Sequence, residues 1–153
     1  MESRADAEYR FEVARGFLRE AEQDLALGRW RSAVKPVLWP GTGNAQLTVE
    51  NAANAVISQR RPAPKPHEVA QELRLLLQES GAASERAVLL TELTECAEML
   101  GRDVHIPTDY GDEFRRITPW ALFSQEDAEQ ALAHARRAVS LAEAILGVLA
   151  EVR

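Results

Sequence analysis

Residues 124–152 contain no proline and carry apolar side chains at nearly every third or fourth position. Ala128, Leu132, Ala135, Val139, Ala142, Ile145 and Leu149 line one face of a helix of period 3.6. At 1.5 Å per residue this segment is ~40 Å long. A stripe of that length cannot bury itself and needs other helices beside it. Ser124 and Asp127 stand in the Ser-x-x-Asp spacing of a capping box, which marks where the helix starts.

The same period runs through the rest of the chain. Phe11, Ala14, Leu18, Ala21 and Leu25, with Phe17 beside them, predict a helix over residues 4–27 that stops at Gly28. Residues 29–34 begin a second helix, which Pro36, Pro40, Gly41 and Gly43 interrupt. A proline inside a helix costs ~3 kcal/mol, so residues 35–43 are expected to bulge out as a loop insertion that adds nothing to the core. Helix resumes over 44–59, with Ala45, Val49, Ala52, Ala53, Val56 and Ile57 as its stripe and a polar line of Glu50, Asn51, Asn54 and Ser58 down another side. Pro62, Pro64 and Pro66 end it, and Pro66 suits the first position of the next helix. Val69, Leu73, Leu76 and Leu77 mark that helix. Ser84-Glu85 opens a further one, with Leu89, Leu93, Cys96, Ala97 and Leu100 on its face and Gly101 as its stop. Residues 102–123 then form a connection of about twenty residues, a length that usually serves a function. No segment alternates with period 2. The expected fold is all-α: an antiparallel up-and-down bundle of about five helices, forming a single domain over residues 1–153.

Charge and composition narrow the function. The net charge of −6 argues against a protein that coats nucleic acid non-specifically, and no DNA binding is expected. It leaves room for a local basic site. Sixteen of the eighteen basic residues are arginine, which either reflects genome composition or favours bidentate phosphate contacts. The single cysteine, Cys96, excludes an internal disulfide and fits a reducing, cytoplasmic setting. The N-terminus is charged, with no secretory segment behind it. The longest aliphatic run, 144–150, is far short of the ~20 residues a membrane helix needs. Gly41-Thr42-Gly43 lacks the frame of a phosphate loop. His67, His105 and His134 fall on different segments without metal-ligand spacing, so neither a metal nor a cofactor is expected. His134 belongs to the polar side of the last helix. Asp109 and Asp112 flank a Tyr-Gly turn, where an aspartate commonly bonds its own backbone.

Two Arg/His sets remain as candidates for chemistry. Arg60 and Arg61 precede His67, with Lys65 between them. Arg102 and Asp103 precede His105, with Tyr110 beyond. A guanidinium that neutralises a phosphate oxygen and an imidazole that moves protons near pH 7 suffice for metal-free phosphodiester cleavage. The plainer reading of each set is a solvated or capping role in a loop. Arg61, His67, Arg102 and His105 are the catalytic candidates. Asp103, Tyr110, Arg60 and Lys65 are candidates for ligand binding.

AxxFLxxAxxDLxxGRWxSAV (14–34), NAQLTVENAANAVI (44–57), a proline-bracketed histidine at the next helix start, TDYGD (108–112) and SQEDAEQALAHARRAV (124–139) follow one another in an order and spacing that resemble the HEPN (higher eukaryotes and prokaryotes nucleotide-binding) domain. The resemblance spans roughly residues 10–147. It implies a small helical bundle that dimerises, is often encoded beside a minimal nucleotidyltransferase as a toxin–antitoxin-like pair, and in many relatives is a metal-independent RNase with an Arg-x4–6-His motif. Three departures stand out. Asn54 occupies a position where relatives usually have lysine. Residues 35–43 break a helix that runs unbroken in the family. The motif is also split: Arg61-x5-His67 has a permitted spacing but lies before the third helix, whereas Arg102 and His105 lie in the family's place with only two residues between them. The 58–73 stretch therefore reads first as a connector in which His67 orients a corner, and the 102–112 loop as the better-placed surface. The expected function is a homodimeric nucleotide- or partner-binding module that pairs with a nucleotidyltransferase. A metal-independent ribonuclease and a structural helical adaptor are the alternatives, and nucleotide or RNA is the expected ligand. Trp30, Trp39 and Trp120, in a chain with few other aromatics, add to the expectation of a homodimer, since two of the three stand beside prolines in loops.

Overall fold

A computed structural model describes residues 2–30, 33, 45–64, 68–81, 84–99, 112–118, 121 and 124–151. Five helices are present among them: α1 (Glu2–Ala26), α2 (Ala45–Ser58), α3 (Val69–Ser80), α4 (Glu85–Met99) and α5 (Gln125–Glu151). The described residues contain no strand, only one isolated antiparallel bridge between Asp112 and Ile117. The 35–43 stretch, Pro66, Leu100 and Gly101, and Trp39 and Trp120 all lie outside the described residues.

Helix ends follow from local chemistry. At the end of α1, Gly28 adopts φ 71°, a conformation that costs a residue with a Cβ. The Gly28 N–H bonds the Leu25 carbonyl at 3.1 Å and the Arg29 N–H bonds the Asp24 carbonyl at 2.8 Å. These two bonds make a complete Schellman motif, satisfying carbonyls the helix would otherwise leave open. The Ser84 hydroxyl accepts from the Ala87 N–H at 3.1 Å and starts α4. The expected box at α5 is reciprocal. Asp127 accepts from the Ser124 N–H at 2.8 Å, and the Ser124 hydroxyl accepts from the Asp127 N–H at 3.2 Å.

The order of packing places α2 at the centre. It touches each of the other four helices, most extensively α1 and then α5, and eleven of its fourteen residues are buried. A helix enclosed on so many sides must be small, and Ala45, Ala52, Ala53 and Ala55 make it so. It has little room for an exposed polar side. Asn54 and Ser58, expected on a polar line, are 6% and 5% exposed, while Glu50 and Asn51 are half-buried. Asn51 donates to the Leu47 carbonyl at 2.9 Å.

α1 lies on α2 through alanine. Ala7, Ala14 and Ala21, seven residues apart, are its buried residues, while Phe11, Leu18 and Leu25 flank the contact and are only partly covered. In α5, Ala131, Ala138 and Leu141 join the expected stripe and Val139 is only half-buried, because this helix meets α1, α2 and α4. α3 and α4 run antiparallel. Ser84 reaches back to the Ser80 carbonyl at one end, and Arg74 pairs with Glu98 at the other. Their core residues, Leu73, Leu76, Leu90, Leu93 and Cys96, join those of α1, α2 and α5 in one hydrophobic cluster. Trp30 and Ala33 extend it past α1. Arg136–Glu22 (3.1 Å) and Arg137–Glu92 (3.1 Å) link α5 to α1 and α4 at the surface, where such pairs contribute no more than about 1 kcal/mol. No helix among the described residues is long and apolar enough to cross a membrane.

Candidate functional site

α2 ends where its last amides fold back on it: Arg60 N–H to the Ile57 carbonyl at 2.9 Å and Arg61 N–H to the same carbonyl at 3.0 Å. The two arginines then part. Arg61 lies along α3, with Nη1 3.3 Å from the Glu72 carboxylate and Nη2 bonded to Glu79. Its side chain is 30% exposed. The bond to Glu79 is the largest influence holding its guanidinium above the usual range, against the opposing effect of burial. Two carboxylates two turns apart on one helix neutralise this cation and pin the end of α2 to α3.

Arg60 is exposed and has no counter-charge among the described residues. Its positive charge is felt at Arg86, the second residue of α4. Arg86 is half-buried, and its Nε is buried without a hydrogen-bond partner. Burial first, and the positive charge of Arg60 second, lower its pKa from the ordinary arginine value. A helix N-terminus carries about half a positive charge, so Arg86 stands where the helix dipole disfavours a cation. Buried polar atoms without partners gather at the same end of α2: Ser58 Oγ and Gln59 Oε1, with Asn54 Oδ1 one turn below. Sequence reasoning singled out Arg60 and Arg61 but missed Arg86. The available signal was an arginine in a first helical turn, where acidic side chains are preferred.

A second feature lies between α4 and α5. Asp112 and Ile117 exchange both backbone bonds at 2.9 Å, and the Asp112 carboxylate accepts from the Arg115 N–H at 3.0 Å. The self-bonding expected for this aspartate is therefore present. Arg116 holds φ 56°, and the turn presents Phe114, 98% exposed, beside exposed Arg115 and Arg116. His134 is half-buried on α5, away from either feature in sequence. Lys65, His67, Arg102, Asp103, His105 and Tyr110 lie outside the described residues. No group of three or more His, Cys, Asp or Glu among the described residues is arranged to hold a metal ion.

Comparison with known proteins is decisive at the level of family. The HEPN domain model matches residues 7–145. Neither the curated proteins nor the solved structures give a match. An all-α bundle of five helices, matched over nearly its whole length, carries the conclusion: the chain belongs to the HEPN family, whose domains are nucleotide- or RNA-related modules.

Proposed function

We propose that this HEPN domain is a homodimeric nucleotide- or partner-binding module that pairs with a minimal nucleotidyltransferase in a toxin–antitoxin-like system. The family match over residues 7–145 carries the reading. The candidate ligand residues form two sets, Arg102, Asp103, His105 and Tyr110 on one side and Arg60 and Lys65 on the other; a dimer would bring two such sets together and supply the local positive charge an acidic chain needs to hold a phosphate. We assign the docking of that partner to the 35–43 stretch, which carries Trp39.

Binding rather than cleavage is favoured by the state of Arg61. Its guanidinium is already shared between Glu72 and Glu79, so Arg61-x5-His67 has no uncommitted cation for a scissile phosphate, and cleavage at this connector would fall to Arg60 instead. Two measurements test the reading. Light scattering at micromolar concentration should give about twice the 17.0 kDa chain mass, and a clean monomer would refute the dimer. Single-stranded RNA with EDTA should survive incubation with the protein. Cleavage abolished by His105→Ala or Arg102→Ala would establish the ribonuclease alternative on the long loop. Cleavage abolished by His67→Ala would place it at the α2–α3 connector.

A further inference from the structure

Two neighbouring arginines at the α2–α4 corner differ sharply in how their charge is met. Arg61 has two carboxylates, whereas Arg60 and Arg86 have none among the described residues. The fold holds them at one corner. The Arg61–Glu79 bond fixes the end of α2 against the last turn of α3, and the Ser84 hydroxyl, donating to the Ser80 carbonyl at 3.4 Å, sets the start of α4 beside that same turn, with Arg86 two residues on. Two guanidiniums and the N-terminus of a helix therefore raise positive potential at one place. Part of that charge is desolvated, since Arg86 Nε is buried and unpaired. A buried donor left unpaired is destabilising, and an anionic oxygen that met it would relieve that cost. The Ser58 hydroxyl, buried and unpaired in the same final turn of α2, adds a group able to donate to an oxygen anion. Glu85 is exposed and makes no ion pair with Arg86, so it does not cancel the site.

We propose that Arg60, Arg86 and the Ser58 hydroxyl form an oxyanion site that takes a phosphate group at the corner between the end of α2 and the start of α4. Guanidinium groups suit a phosphate because their fork matches two of its oxygens, and the helix N-terminus favours the same charge. The phosphate is that of a nucleotide or of an RNA backbone. The proposal deepens the binding-module reading and rests on it.

The test uses the full chain, with thermal shift and calorimetric titration of inorganic phosphate, AMP, adenosine and a single-stranded RNA oligomer. The variants are Arg86→Gln, Arg60→Gln and, as a control on exposed α1 surface, Arg19→Gln. Wild type should bind phosphate and AMP, or the RNA, and ignore adenosine. Arg86→Gln should weaken that binding by about tenfold or more, the effect of losing a charge-assisted contact. In phosphate-free buffer Arg86→Gln should melt at or above the wild-type temperature, because it removes a desolvated, uncompensated charge. AMP binding that depends on Arg86 identifies a nucleotide phosphate; RNA binding that depends on it while AMP fails to bind identifies the backbone. Equal affinity in wild type, Arg86→Gln and Arg60→Gln would overturn the site while leaving the binding-module reading intact. Failure of wild type to bind phosphate, AMP or RNA would overturn the site and the nucleotide-binding arm of that reading, leaving only its partner-binding arm. A lower melting temperature for Arg86→Gln without phosphate, with unchanged affinity, would show that the arginine serves structure alone.

Discussion

Replacing Ala14 by leucine probes the contact on which the bundle is built. Ala14 is fully buried, in register with Ala7 and Ala21, on the helix that makes the most extensive contact with α2. Two effects of opposite sign compete. Three added carbons, if they found space, would contribute about 2 kcal/mol at ~0.8 kcal/mol per buried CH2. If no space exists, overpacking costs typically about 1–3 kcal/mol through strained rotamers and backbone shifts. Alanine is what decides between them. The buried residues of α2 include Ala45, Ala52, Ala53 and Ala55, which have no rotamers to change, so accommodation falls on the backbone and the helices must separate. The cost therefore wins. Ala14→Leu should lose about 1–3 kcal/mol, and a urea slope of about 2 kcal/mol per molar turns that into a midpoint lower by about 1 M with the slope unchanged. Ala133→Leu, the same change at an exposed site on α5, should stay within about 0.5 kcal/mol of wild type. Chemical denaturation followed by far-UV circular dichroism reads both. A midpoint for Ala14→Leu at or above wild type would refute a close alanine contact and reveal unfilled volume between α1 and α2.

Three further outcomes are expected. Ser124→Ala removes one half of the reciprocal box at α5 and should cost about 1 kcal/mol, read as a melting temperature lower by about 2–4 °C; no change would show that Asp127 caps alone. Asn54→Ala removes the buried, unpartnered Oδ1 and substitutes a better helix former, which together outweigh the packing lost and should raise stability by about 1 kcal/mol; a loss of similar size would mean that the amide is bonded. Cys96 is buried, and burial pushes its thiol pKa up. The folded state thus holds the proton more tightly than the unfolded chain, so Cys96 adds no pH dependence below the ordinary thiol range and lowers stability as pH rises through and above it. Alkylation of Cys96 should accordingly track unfolding in denaturant, and fast labelling of the native protein would contradict its burial.

By itself the sequence determined that the chain is helical, where its helices end, and which family it resembles. Those properties are local: a period of 3.6 in the apolar residues, Gly28 at a Schellman turn, Ser124 and Asp127 three residues apart, and motifs read in order along the chain. Tertiary structure decided what depends on how closely helices approach one another. Periodicity marked Phe11, Leu18 and Leu25 as the face of α1, yet the line of deepest burial falls on Ala7, Ala14 and Ala21, because only a side chain of one carbon lets α1 lie so close to α2. Asn54 and Ser58 look like a wet side of α2 until that helix is found enclosed by four others. The candidate site divides the same way. Arg60 and Arg61 announce a basic corner in the sequence and are equivalent there. Glu72 and Glu79, eleven and eighteen residues further on, neutralise one of them, while the other keeps its charge and is felt by Arg86 on α4. Charge compensation depends on distance through space, and only the packed bundle sets that distance.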